Sequence, residues 1–231
     1  MRWPTALVAL TLWLAAAATL AAAEAGDAEP SAKLVPVKVE LPPAVTRGTN
    51  RDIKPGPHLE PLSAKPRPDF LAPEGTTNVA LSKPVTGSDE EPVIGELAQV
   101  TDGDKRAADG SYIELGPGRQ WVQIDLKAAY QVHALLVWHF HGEQRVYRDV
   151  VAQVADDADF ITNVRTLYNN DYDNSSGLGI GKDLEYIETN EGRLIQAKGV
   201  VARYVRLYSK GSTANDMNHY TEVEVLGTPA K

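Results

Sequence analysis

The sequence predicts an all-β fold, a β-sandwich preceded by a proline-rich extended segment. Two observations lead to this prediction. Short apolar or alternating segments recur between turn residues such as Gly116–Gly118 and Asn190–Gly192, and no long amphipathic helical pattern interrupts them. The predicted strands are Leu97–Thr101, Tyr112–Leu115, Trp121–Leu126, Gln131–Phe140, Asp149–Ala155, Val200–Tyr208 and Tyr220–Leu226.

The two strands between Gln120 and His141 are predicted to form the centre of the sandwich. Apolar residues alternate with polar ones in Trp121–Leu126, which indicates a strand with one buried face. Val132–Phe140 is almost continuously apolar, as expected for a strand covered on both faces. We expect a tight connection between the two strands, and both Trp121 and Trp138 in the core.

Four stretches occur in the order typical of one domain family. They are Asn78–Val85 (NVALSKPV), Val100–Asp104 (VTDGD), Trp121–Leu126 (WVQIDL), and the pair Ala202–Leu207 (ARYVRL) with Glu222–Gly227 (EVEVLG). Together they resemble the discoidin, or coagulation-factor C-type, domain with its galactose-binding-like fold. The resemblance covers Thr76 to Pro229 and implies a discoidin-like jelly-roll β-sandwich.

The N-terminus is predicted to be a cleaved signal peptide, residues 1–23. Arg2 precedes an apolar core over Ala6–Ala18, and Ala21–Ala23 offer a small-residue cleavage site. A retained membrane anchor is the alternative, but the apolar run is short for a span. We therefore predict a secreted or periplasmic protein with no stable membrane insertion after cleavage.

Residues 24–75 are predicted to be a proline-rich linker or strap, and residues 76–231 the sandwich domain. The first segment carries ten of the chain's 15 prolines, a composition that excludes helices and central strands. We expect a disordered spacer over Ala25–Pro61 and an ordered strap over Arg67–Gly75. Within them, Lys38–Leu41 could add an edge strand and Phe70 could pack against the sandwich.

Composition excludes several classes of function. The formal net charge of −8, from 23 basic and 31 acidic residues, disfavours nucleic acid and anionic lipid as partners. The chain has no cysteine, which excludes disulfides, thiol nucleophiles and cysteine-bound zinc. The cysteine-rich vertebrate members of the family pin their chain ends with a disulfide, so this chain resembles the bacterial exported type.

We predict that the protein is not an enzyme. The sequence contains no serine-hydrolase elbow, no HExxH motif and no phosphate-binding glycine loop. Paired carboxylates such as Glu222 and Glu224 merely share a strand face. The alternative is a small metal-dependent enzyme: His139 and His141 would share one side of a strand and could hold zinc or copper with Glu143 or His219.

The VTDGD stretch indicates a cation loop. Alternating carboxylates suit the six to eight oxygen ligands of Ca²⁺, although a simple Asp-Gly turn is the alternative. The resemblance implies a structural Ca²⁺ held by Asp102, Asp104 and Glu222. The family's D-x-x-T continuation is absent here, since Ala107–Ser111 stands in its place.

Polar and aromatic residues around the ends of the central and last strands are predicted to contact a ligand. The set is His139, His141, Arg145, Tyr147, Asn218 and His219. Aromatic faces and directional hydrogen-bonding groups are what a sugar site needs, and the long polar loop Asn169–Asp183 is a second functional candidate. The sequence therefore predicts a non-catalytic exported module that binds carbohydrate. The alternative is a protein–protein or cell-envelope scaffolding module with another exported protein as its partner.

Overall fold

The computed structural model describes residues 1, 33–45, 53–54, 56–61, 63 and 65–230. The chain divides into two compact units, Met1–Ala32 and Lys33–Lys231. The predicted signal peptide lies in the first unit and, apart from Met1, outside the described residues. Among the described residues, no helix has the length and apolar character needed to span a lipid bilayer.

The described residues form eleven strands and one 3₁₀ helix, Leu97–Thr101, with no α-helix, and the predicted all-β class is confirmed. The strands are β1 Leu34–Pro36, β2 Leu71–Pro73, β3 Thr77–Asn78, β4 Val85–Gly87, β5 Ile113–Leu115, β6 Gln120–Trp138, β7 Val151–Ala155, β8 Arg165–Asn169, β9 Arg193–Ser209, β10 Asn218–Tyr220 and β11 Glu222–Pro229.

The prediction of a strand over Leu97–Thr101 is wrong. The segment begins with a capping box in which the Glu96 side chain accepts the Gln99 backbone N–H. In return, the Gln99 side chain accepts the Glu96 N–H at 2.6 Å. These reciprocal bonds satisfy the free N–H groups of a helical turn, so the local hydrogen bonds outweigh the apolar alternation.

Strand β6 is one continuous strand where the sequence predicts two. It pairs with β9 in an antiparallel ladder from Gln120↔Ser209 to Val137↔Arg193, and the register shifts between Asp125 and Tyr130. Lys127 adopts a φ of 70° inside this irregularity. The chain therefore bends through a bulge while keeping its partner, instead of reversing in a tight turn.

One main sheet supplies most of the core. All strand pairs are antiparallel, and the main sheet has the order β3-β11-β6-β9-β7-β8, with β4 also on β6. Side chains from both halves of β6, such as Ile124 and Leu135, belong to one buried cluster with Val205 and Val223. Trp121 does not belong to it: it is half-buried on the outer face, because it alternates with the buried Val122.

Part of the proline-rich segment is ordered against the sandwich. Strand β1 pairs with β2, and Val37, Val39 and Phe70 pack on a second buried cluster. This cluster consists of Ala134, Leu136, Trp138 and Leu226. Residues 33–45 thus differ from the expected spacer, and the edge strand is Leu34–Pro36 instead of Lys38–Leu41. If β1 and β2 paired over further residues, Pro68 would enter the ladder. Pro68 has no backbone N–H to donate, which explains why the pairing ends.

Candidate functional site

The side chain of His139, just beyond the end of β6, lies in a buried aromatic cluster. Its ring stacks on Tyr147 at 4.3 Å between centroids and lies 4.8 Å from Tyr220. Its Nδ1 is 2.7 Å from Oε1 of Glu188, and neither side chain is exposed. His139 and Glu188 therefore form a buried pair inside the domain.

His219, on β10, extends this cluster. Its Nε2 lies 2.8 Å from Oε2 of Glu114, and its ring is 6.0 Å from that of Tyr147. Burial, and then the proximity of Arg145 and His139, lower the pKa of His219 to about 3 despite the nearby carboxylate. The ring is thus neutral at pH 7, and its Nε2–H donates to Glu114.

The other predicted ligand residues are also held by the protein itself. His141 Nε2 bonds the Lys105 carbonyl at 2.8 Å, and the Arg145 guanidinium lies 4.7 Å from the centre of the Phe140 ring. Asn218 points towards the β5–β6 turn, where its amide donates to the carbonyls of Gly116 and Gly118.

The structure brings most of the six predicted residues together but buries them all. Their exposed fractions lie between 0 and 4 %. Asn218 is directed to the β5–β6 turn and His141 to the Lys105 carbonyl, away from the aromatic cluster. A ligand would reach these groups only after the covering loops moved. Their role in ligand contact stays a prediction from sequence.

The structure does not support the alternative of a zinc or copper site at His139 and His141. Their rings are directed to different partners, Glu188 and the Lys105 carbonyl, because β6 ends at Trp138 and strand alternation does not continue. Within the described part of the chain, the one group of three potential ligand side chains that converge within 4.8 Å contains no histidine.

The predicted calcium loop does approach Glu222, the first residue of β11. The Gly103 N–H donates to Glu222 Oε2 at 3.1 Å, and Glu222 Oε1 is buried with no partner among the described residues. Burial, together with the negative charges of Asp102 and Glu224, raises the pKa of Glu222 to about 8. A bound cation would remove the cost of ionising this carboxylate.

Asp104 binds Arg106 and Ser111 instead of approaching Glu222. Its carboxylate accepts hydrogen bonds from the Arg106 guanidinium at 2.6 and 2.8 Å and from the Ser111 hydroxyl at 2.8 Å. Hydrogen bonding to Arg106 holds the pKa of Asp104 well below its usual range. Asp102 and Glu222 therefore suit a cation, whereas Asp104 is oriented into its own ion pair.

An open polar pocket of about 390 Å³ lies where four connecting segments meet. These segments are the β5–β6 turn, the residues before β7, the loop after β8 and the residues after β9. The lining residues are Pro117, Gly118, Arg148, Asp149, Asp173, Ser175, Lys210 and Asp216.

Hydrogen bonds between neighbouring segments fix the pocket. Backbone bonds join Arg148 to Lys210 and to Gly211 at 2.9 and 3.0 Å. The Ser175 hydroxyl donates to Asp149 Oδ2 at 2.5 Å, and Lys210 Nζ donates to Ser175 Oγ at 2.8 Å. The exposed side chains of Arg148 and Asp216 form no hydrogen bond or ion pair with a described residue, so they are available to a ligand.

The sequence predicted one of the segments that line this pocket, the polar loop, but not the other three. The length and polarity of Asn169–Asp183 singled out that loop. Arg148 and Lys210 carry no such signal, because each is a charged residue at a strand end, a common arrangement on any sandwich. Only the pairing of β7 with β9 places them side by side.

A larger groove, of about 700 Å³, lies between the proline-rich segment and the residues before β9. Glu60 and Arg67 stand on one side, and Glu191 and Arg193 on the other. Arg193 joins the two sides through an ion pair to Glu60 at 2.5 Å, and Arg67 donates to the carbonyls of Glu191 and Gly192. Arg193 and Arg67 of this groove are thus already bound across it, to Glu60 and to the backbone of Glu191 and Gly192.

No family model matches the chain, and no curated protein matches it. Among solved structures, the carbohydrate-binding module CBM32 of AlyQ, in complex with 4,5-unsaturated mannuronic acid, is 16 % identical with a TM-score of 0.46, covering 62 % of this chain and 92 % of that one. Chitosan-binding module 1 of a Paenibacillus sp. IK-5 chitosanase/glucanase is 21 % identical with a TM-score of 0.44, covering 64 % and 98 %.

A third similar structure is a family 89 glycoside hydrolase from Clostridium perfringens, with 17 % identity and a TM-score of 0.48. The match covers 66 % of this chain but only 15 % of the enzyme. The two binding modules above are galactose-binding-like, discoidin-type domains, the fold type that the sequence resemblance implies. At these identities and TM-scores, no ligand or activity passes from them to this chain.

Proposed function

We propose that this protein is a non-catalytic carbohydrate-binding module whose ligand occupies the pocket around Arg148 and Asp216. The observation that carries the proposal is the open pocket of about 390 Å³ in which a free guanidinium and a free carboxylate stand together. Sugar hydroxyls are both donors and acceptors, so a surface that offers both kinds of group suits them.

The pocket combines residues at strand ends with residues of a loop. Asp149 and Lys210 stand next to the ends of β7 and β9, whereas Asp173 and Ser175 belong to the polar loop. Strand ends hold their side chains in place, and loops supply variable contacts. None of the described residues that line the pocket is aromatic, so hydrogen bonding, not ring stacking, would dominate recognition.

A glycan array, followed by calorimetry with the best ligand, tests the proposal. Arg148→Ala and Asp216→Ala should each weaken binding about tenfold or more, because each removes a hydrogen bond to a charged group worth about 1.5–3 kcal/mol. Arg165→Ala is the matched control, since Arg165 is an exposed arginine on β8 outside the pocket. Absence of glycan binding, or binding unaffected by both pocket variants, would refute the proposal.

We also propose that the protein acts outside the cytoplasm, after cleavage between Ala23 and Glu24. The apolar core and small-residue site near the N-terminus support this. N-terminal sequencing of the protein recovered from periplasm or medium should begin at Glu24. A chain that retains Met1 would contradict the proposal.

We further propose a structural Ca²⁺ held by Asp102 and Glu222. The unpartnered, buried Oε1 of Glu222 and the approach of the Asp102 loop through Gly103 support it. The ion would supply positive charge to a buried carboxylate and so lock this loop to β11. Asp104 would orient the loop through Arg106 and Ser111 instead of binding the ion.

A further inference from the structure

We propose that His58, in the proline-rich segment, is a positioning residue for the polar pocket. It belongs to residues 56–61, which hold the polar loop Asn169–Asp183 in place. Two residues of this loop, Asp173 and Ser175, line the pocket. The inference rests on the proposed carbohydrate function and assigns part of that function to a segment outside the discoidin-like domain.

The first contact between this segment and the loop is aromatic stacking. The His58 ring stacks on Tyr172, with 3.7 Å between the centroids and 24° between the planes. Tyr172 directly precedes Asp173, and its hydroxyl donates to the carbonyl of Asp183 at the other end of the loop. Stacked aromatic pairs stabilise beyond the area that they bury. His58 therefore holds the residue that joins the two ends of the loop.

The second contact is backbone pairing just after the loop. The Glu185 N–H donates to the His58 carbonyl at 2.8 Å, and the Glu60 N–H donates to the Glu185 carbonyl at 2.9 Å. Leu59 and Glu185 thus form a parallel β-bridge. The segment contacts the start of the loop through a ring and the residues after its end through backbone.

This contact lies beside the pocket. Burial raises the pKa of Glu185, the proximity of His58 and Arg148 lowers it, and Asp149 raises it again. Arg148 and Asp149 both line the pocket. Glu185 is therefore close enough to interact electrostatically with the proline-rich segment and with the pocket.

The segment is itself attached to the sheet. Glu60 forms an ion pair with Arg193, the first residue of β9, at 2.5 Å. A long polar loop with few core contacts opens at little cost in free energy. A loop held by a segment that is anchored to a strand loses less conformational entropy when a sugar binds to it. Removal of the His58 ring should therefore loosen the loop and weaken binding.

Hydrogen exchange of the backbone amides, measured without glycan, tests the first step. The Lys182 and Asp183 amides both donate to the Asn169 carbonyl and so report on the closed loop. His58→Ala should make them exchange about two- to tenfold faster, the range expected for an aromatic pair. His58→Phe keeps a ring that can stack and should restore the protection.

Binding to a glycan array tests the second step. His58→Ala should weaken binding to the immobilised glycans by a similar two- to tenfold factor, and His58→Phe should bind as the natural sequence does. Lys54→Ala is the control, because Lys54 is an exposed residue of the same proline-rich segment, four positions earlier. It should change neither the exchange nor the binding.

The two measurements separate this inference from the proposed function. Loop exchange that is unchanged in His58→Ala would overturn the inference, and so would faster exchange with glycan binding as in the natural sequence. Equally faster exchange throughout β9 would also overturn it, because His58 would then stabilise the whole domain. If the natural sequence binds no glycan, the carbohydrate proposal fails, and loop exchange still decides whether His58 holds the loop.

Discussion

Gly103 and Glu222, 119 positions apart in the chain, are joined by a hydrogen bond of 3.1 Å from the Gly103 N–H to Glu222 Oε2. The bond attaches an exposed loop to the first residue of β11. The second carboxylate oxygen of Glu222 is buried and has no hydrogen-bond partner in the part of the chain that the structure describes. One backbone bond does not offset the cost of ionising this buried carboxyl group, so its pKa and the pH dependence of stability are affected.

The first prediction concerns pH. The folded protein holds the proton of Glu222 up to a pKa of about 8, whereas the unfolded chain loses it near the ordinary carboxyl pKa of about 4.3. The contribution of this group to the free energy of unfolding is therefore fully present below the unfolded pKa, and it is lost as the pH rises towards 8. The contribution of this one group is at most about 1.4 kcal/mol per pH unit.

Urea denaturation at several pH values, in chelator, checks this prediction. Glu222→Gln should abolish this part of the decline, because the amide does not ionise. Added Ca²⁺ should oppose the decline in the natural sequence and bind more tightly as pH rises, since the ion competes with the proton. Identical pH profiles for both proteins would contradict the prediction.

The second prediction concerns the close contact between Gly192 and Trp138. Gly192 has a φ of +64°, and an added Cβ would lie 2.5 Å from the fully buried Trp138 ring. Gly192→Ala should cost about 3 kcal/mol or more, from crowding of the core and from the left-handed backbone.

Gly110→Ala is the control for this substitution. Gly110 has a φ of +85°, but no heavy atom lies within 4 Å of its added Cβ. It should therefore lose only the backbone contribution, about 1–2 kcal/mol. Equal losses in the two variants, measured by chemical denaturation, would show that the ring contact contributes nothing.

The third prediction concerns the buried pair of His139 and Glu188. Glu188→Ala should cost about 3–5 kcal/mol, because it removes one partner and leaves the other polar group buried. Replacing both residues by apolar ones, as in His139→Phe with Glu188→Leu, should recover much of that loss. A double-mutant cycle, measured by urea denaturation, gives the coupling energy between His139 and Glu188. A coupling energy near zero would contradict the prediction.

The fourth prediction concerns the strap. Phe70→Ala should destabilise the domain by about 2 kcal/mol or more, because the ring covers the cluster around Leu136 and Trp138. Leu71→Ala is the matched control: Leu71 is the next residue, points outwards and is 52 % exposed. Its loss should be below about 0.5 kcal/mol. Similar small losses for both would mean that the strap contributes no stability.

Local pattern was enough for much of the fold. The alternation in Trp121–Leu126 indicates a strand with one buried face, and Val122 and Ile124 are indeed buried. The same rule places Trp121 outside, where its ring lies 4.6 Å from the Arg206 guanidinium. The expectation that Trp121 lies in the core was wrong, because side-chain direction in a strand follows position; the same expectation is confirmed for Trp138, which is fully buried.

By itself, the sequence determined that the chain forms the strands of a β-sandwich and that Asn169–Asp183 is a polar loop. The family resemblance implied that Asp102 and Glu222 come together. These follow from short-range patterns or from a motif. Only the tertiary structure decided that His139, His141 and His219 are buried and that Arg148 and Lys210 share an open pocket. Burial and proximity depend on which distant segments pack together. An imidazole at a strand end has the same local sequence whether a loop covers it or solvent does.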